Sequence, residues 1–136
     1  MTEPTTGAEL APVSARQVAL AASIDVVAIV AFVLIGRRSH DEGGSVIGEA
    51  AKVAAPFLIA LALGWLAARA WNAPMDVTNG VVIWLVTLVA GMLLRRFAFD
   101  GGTALPFIIV ASLFTLALLV GWRFLLEWWQ SRAATG

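Results

Sequence analysis

The stretch that decides the fold is QVALAASIDVVAIVAFVLIG, residues Gln17–Gly36, in which one ionisable side chain, Asp25, interrupts an otherwise uncharged apolar run. At 1.5 Å rise per residue a helix of about 20 residues spans the ~30 Å hydrocarbon core of a bilayer. The run is too long for the h-region of a secretory signal. It follows a tail with Glu3, Glu9 and a single arginine, and it meets Arg37-Arg38 where a cleavage site would need small residues. It is therefore expected to be a retained transmembrane helix.

Three further runs of the same character follow, at about residues 53–71, 80–94 and 104–129. Residues 1–16 are expected to be a mobile N-terminal tail and 130–136 a C-terminal tail. Ser45 and Thr103 are the expected helix caps, and Pro106 is tolerated in a first helical turn. The alternating pattern of a membrane barrel is absent, and in lipid a helix satisfies its own backbone. The expected fold is an all-α membrane protein of four transmembrane helices joined by short loops.

Composition agrees. Of 136 residues, 60% are hydrophobic and 13% charged, and the mean hydropathy is +0.89. A soluble domain is about 45–50% apolar and about 25% charged. Nine basic residues balance nine acidic ones, which excludes a phosphate-driven nucleic-acid binder. The chain has no cysteine, no tyrosine and one histidine, His40, so thiolate metal sites, disulfides and a cysteine nucleophile are excluded.

The two halves echo one another. Arg37-Arg38, three residues, Glu42-Gly43-Gly44 and Ser45 match Arg95-Arg96, three residues, Asp100-Gly101-Gly102 and Thr103. Phe57 to Trp65 similarly matches Phe114 to Trp122, with Gly64-Trp65 on Gly121-Trp122. The expectation is two tandem helical hairpins in a parallel internal repeat. Small residues one turn apart, Ala60/Gly64/Ala68, Thr87/Gly91 and Ala117/Gly121, suit close helix packing, inside one bundle or in a homo-oligomer.

All six tryptophans fall toward the end that carries the termini, where Trp71, Trp128 and Trp129 suit interfacial anchors. Trp65 and Trp122 lie deeper, either walling a cavity or packing. Arg16, Arg69, Arg123 and Arg132 on that side face Arg37, Arg38, Lys52, Arg95 and Arg96 on the other. That balance decides no orientation.

Asp25 is the outstanding candidate. A lone carboxylate within a span costs on the order of 2.5–3.5 kcal/mol on insertion scales, so it should face the bundle and find a cation. Arg69 and Arg123, both near the end where the first span begins, are the expected partners. The role is either a substrate or proton site or a structural ion pair. Arg37, Arg38, His40, Asp41, Glu42, Arg95 and Arg96 are loop candidates. Adjacent His, Asp and Glu side chains converge poorly on one ion, so no metal site is expected. No nucleophile–base pair or phosphate loop is present, so no catalytic residue, cofactor or enzymatic activity is expected.

The string Gly36-Arg37-Arg38-Ser39-His40-Asp41-Glu42-Gly43, with Asp25 upstream and Gly64-Trp65 and Arg69-Ala70-Trp71 downstream, resembles a known family. These are the small actinobacterial membrane proteins of domain of unknown function 3054. The likeness runs from about Ser23 to Trp122 and includes Val82–Val86 and Gly91–Arg96; the single lysine among nine basic residues suits such a source. The resemblance implies a four-helix membrane protein with no assigned activity.

The expected function is that of a multi-pass protein of a bacterial inner membrane, binding or accessory, organised around an Asp–Arg pair. The alternative is a small transporter or channel with Asp25 lining the path. Its partners would be the lipid bilayer and a second copy or another membrane protein, with no nucleic acid.

Overall fold

The structure is a computed structural model that describes residues 12–38, 46–98, 101 and 104–135. Among them the chain is helical, without strands: α1 (Ala15–Arg38), α2 (Val46–Ala68), α3 (Val77–Phe97), α4 (Leu105–Thr115) and α5 (Gly121–Thr135). A π-helical turn, Leu116–Val120, joins α4 to α5 as one rod. Four segments are long and apolar enough to cross a membrane: Ala15–Gly36, Ala50–Ala68, Val77–Phe97 and Leu105–Ala134.

Local chemistry sets the ends. α1 begins at Ala15 because Ser14 and Gln17 form a reciprocal capping box: the Gln17 N–H donates to Ser14 Oγ at 3.2 Å, and the Ser14 N–H to Gln17 Oε1 at 3.2 Å. This signal was present in the sequence as Ser-x-x-Gln. α2 stops at Ala68, short of the expected Trp71, because Arg69 takes a left-handed conformation (φ 50°, ψ 48°) and Ala70–Asn72 form a 3-10 turn. α3 starts at Val77, where the Asp76 side chain accepts from the Asn79 N–H at 3.3 Å. α4 is capped by Ala104 without a side-chain bond, and Pro106 sits in its first turn. The rod runs through Thr135, so residues 130–135 continue the last helix. The Ser45 and Thr103 caps lie outside the described residues.

The helices alternate in direction. Gly64 of α2 meets Ile83 of α3, and Phe57 meets Gly91, so these two helices run antiparallel. Likewise Asp25 of α1 lies beside Trp65 while Phe32 lies beside Phe57. On the other flank, Gly80 of α3 lies against Arg123 while Trp84 bonds Ser112 and Thr115. Together these contacts make an up-down-up-down bundle.

Glycine permits the tightest approaches. A Cβ at Gly64 would sit 3.0 Å from the Ile83 carbonyl oxygen, and one at Gly91 would sit 2.5 Å from the Phe57 ring. In lipid such backbone proximity supplies the dispersion contacts that replace hydrophobic drive between helices. The expected small faces of α2 and α3 thus pack inside the bundle. The Ala117/Gly121 face differs: Ala117 is exposed, and a Cβ at Gly121 would meet nothing within 4 Å.

The core has two storeys. Toward the double-arginine end, Phe32, Phe57, Phe107 and Phe114 form an aromatic cluster with ring centroids 5.7–6.2 Å apart. Toward the termini the interior turns polar around Asp25 and Arg123. The outer surface is apolar, with Val27, Leu66, Val89, Val110, Leu113 and Leu125 among its exposed residues, as a membrane-embedded bundle requires.

Candidate functional site

Asp25 stands midway along the first apolar segment, roughly 15 Å from either end at helical rise. Helical side chains lean toward the N-terminus of their own helix. Asp25 therefore leans toward the termini end, while Trp65, Trp122 and Arg123, on helices of opposite direction, lean inward to meet it. The side chains of Asp25 and Arg123 are both fully buried.

The contact is a two-pronged fork. Arg123 donates through NH2 to Asp25 Oδ2 at 2.7 Å and through NH1 to Oδ1 at 2.9 Å. Trp65 Nε1 donates to Oδ2 at 2.9 Å, and Trp122 Nε1 donates to Oδ1 at 2.9 Å. Each carboxylate oxygen thus accepts two bonds, which fills the acceptor capacity of the group. Charge-assisted and bidentate, these are the strong class of hydrogen bond, and the apolar surroundings strengthen them further.

Arg123 is as fully engaged. Its Nε donates to the Pro74 carbonyl at 2.9 Å, NH1 also donates to the Leu119 carbonyl at 2.7 Å, and the guanidinium carbon lies 4.5 Å from the Trp122 ring centroid. One side chain thereby ties α1, the π turn and the α2–α3 loop together. The Pro74 carbonyl is aimed inward by a closely bonded loop in which Asp76 N–H and Asn79 Nδ2 both donate to Ala73 O.

Two backbone features make room. Gly80 has Arg123 lying across it: a Cβ there would come within 2.7 Å of Arg123 Cδ. The π turn widens the helix by one residue directly before Gly121-Trp122-Arg123, which turns the residues beyond it by about 100° relative to an unbroken α-helix. That rotation places Trp122 and Arg123 toward α1.

Of the two expected partners, Arg123 pairs with Asp25. Arg69 does not: its left-handed conformation ends α2, and the residue is exposed. Trp65 and Trp122 serve as hydrogen-bond donors to the carboxylate. Among the loop candidates, the Arg95 guanidinium lies 4.5 Å from the Phe107 ring centroid, with Gly101 packed on its stem, and Arg96 is exposed. Arg37 and Arg38 close α1. The side chains of those two, together with His40, Asp41 and Glu42, lie outside the described residues. Among the described residues no three His, Cys, Asp or Glu side chains gather as metal ligands.

Sequence reasoning missed Pro74, Gly80, Leu119 and the π turn. Only Gly80 left a trace, as a small residue in the first turn of an apolar helix.

No curated protein and no solved structure matches this chain. A family model does match, over residues 22–126, and its description is "Protein of unknown function (DUF3054)". The matched stretch contains Asp25, Trp65, Pro74, Gly80, Trp122 and Arg123, the whole of the buried network. By that match the chain belongs to the DUF3054 family.

Proposed function

We propose that this chain is a binding or accessory protein of a bacterial inner membrane, of actinobacterial type, without enzymatic activity of its own. Its Asp25–Arg123 pair serves as the lock of the bundle. The observation that carries this reading is saturation: Asp25 already accepts four hydrogen bonds and is fully buried. A carboxylate in that state has no position left for a passing ion or solute. A transport residue needs at least one water-exposed position in some state of its cycle. Removing one partner of a buried ion pair is costly because the other is left uncompensated, which makes the pair a strong constraint on helix arrangement.

The lock supports the two-hairpin duplication in one respect. Trp65 and Trp122, matched in the repeat, donate to opposite oxygens of one carboxylate. The π turn in the last rod has no counterpart in α2, so the proposed duplication has diverged there. The exposed apolar faces would meet lipid, a second copy or another membrane protein.

The test is Asp25→Asn in reconstituted vesicles. The expected result is a loss of thermal stability, with ion and small-solute permeability equal to that of vesicles holding the native chain. Native permeability well above empty vesicles, abolished by Asp25→Asn in a protein that remains folded, would overturn the lock reading in favour of transport.

A further inference from the structure

Burial removes Arg123 from the charges that orient the chain across a membrane. Its guanidinium is fully buried and paired with Asp25, about midway along the first apolar segment. The pair lies at the same depth whichever way round the bundle is inserted, and its two charges cancel, so it favours neither orientation.

The other eight basic residues stand at the two ends of the bundle. At the termini end are Arg16 in the first turn of α1, Arg69 in the exposed turn after α2, and Arg132 near the end of α5. At the opposite end, Arg37-Arg38 close α1, Lys52 lies in the second turn of α2, and Arg95-Arg96 close α3. The membrane potential and the anionic lipids of the inner leaflet hold lysine and arginine at the cytoplasmic face, while Asp and Glu contribute little to orientation.

Without Arg123 every span gives the same answer. Across α1, Arg16 stands against Arg37-Arg38. Across α2, Lys52 and the arginine pair before it stand against Arg69, and across α3 Arg69 stands against Arg95-Arg96. Across the last rod, Arg95-Arg96 stand against Arg132 alone; counting Arg123 would have left that span level. The connections between helices are more one-sided still. The one at the termini end carries Arg69, and the two at the other end hold the remaining five cations between them.

We propose that the chain crosses the bacterial inner membrane with both termini outside and its double-arginine end at the cytoplasmic face. This rests on the inner-membrane assignment proposed above. The basic end is then the surface presented to the anionic headgroups of the cytoplasmic leaflet and to cytoplasmic partners. Trp71, Trp128 and Trp129, all exposed, anchor the bundle at the outer interface.

The chain has no cysteine, so single cysteines report position without a background. Asn72→Cys and Ala133→Cys mark the termini end and Ala98→Cys the double-arginine end, each at an exposed residue. Spheroplasts expressing each full-length variant are treated with a membrane-impermeant maleimide, before and after permeabilisation. Asn72→Cys and Ala133→Cys are expected to label fully in intact spheroplasts, and Ala98→Cys only after permeabilisation. The reverse pattern, or partial labelling at both ends from a mixture of orientations, would overturn the proposal. A chain recovered outside the inner-membrane fraction would overturn the inner-membrane assignment and the orientation with it.

Discussion

Gly80 and Gly121 offer one substitution whose effect should change sign between two sites. Both glycines are helical, and Gly121 has ordinary right-handed angles (φ −59°, ψ −43°). Backbone conformation therefore penalises alanine at neither. In a helix interior alanine is favoured over glycine by about 0.8–1.0 kcal/mol. At Gly121 the new methyl meets nothing within 4 Å, so Gly121→Ala should gain up to about 1 kcal/mol. At Gly80 it would approach Arg123 Cδ to 2.7 Å. A free arginine stem would swing aside, but this one is pinned beyond that atom by bonds to Pro74, Leu119 and Asp25. Overpacking of a well-filled interior costs about 1–3 kcal/mol, and displacement of the guanidinium adds the loss of bonds to a charged group, about 1.5–3 kcal/mol each. The unfavourable terms win, and Gly80→Ala should lose at least about 1 kcal/mol. Unfolding of each variant by sodium dodecyl sulfate titration, followed by the summed fluorescence of the six tryptophans, measures the stability. Equal shifts of the same sign, or a Gly80→Ala protein as stable as the native chain, would refute the packing of Arg123 across α3.

Trp65→Phe and Trp122→Phe each strip one donor from Asp25 while keeping most of the ring, and each should cost about 1–3 kcal/mol in the same titration; losses within error would mean that the indole N–H groups do not hold the carboxylate. Thr87 Oγ1 is buried without a hydrogen-bond partner, so Thr87→Val, which replaces that hydroxyl by a methyl, should leave stability unchanged or raise it, and a clear loss in the titration would reveal a bond from Thr87. Gly91→Ala brings a methyl to 2.5 Å from the Phe57 ring and should destabilise by about 1–3 kcal/mol, with a neutral result showing that the ring can move.

How much of this was legible in the sequence depends on scale. The four spans follow from runs of apolar residues long enough to cross a bilayer, a property that no tertiary contact has to supply. Asp25 stood out because a carboxylate in such a run must be compensated, and the alternating topology restricted its partner to arginines at the termini end. The choice between Arg69 and Arg123 was not legible. It depends on a left-handed residue that ends α2 one position after Ala68, and on a π turn that rotates Arg123 inward. Leu116–Val120 carries no local pattern that distinguishes a π turn from an α-helix, since what stabilises it is the network it serves. Trp65 and Trp122 were visible as a matched pair, but their use as donors depends on the tilt of four helices. The Ser14–Gln17 capping box is different: its pattern was plain, and it extends α1 two residues beyond the start expected from hydropathy.

The central claim is that Asp25 and Arg123 act as one buried unit that locks the first span to the last. A double-mutant cycle with Asp25→Asn, Arg123→Gln and the double variant, measured by the same unfolding titration, tests it directly. Each single substitution should cost about 3–5 kcal/mol, because it leaves a buried charge without its partner. The double variant should cost less than the two together, with a coupling of at least about 1.5 kcal/mol. Losses that add to within about 0.5 kcal/mol would contradict the lock.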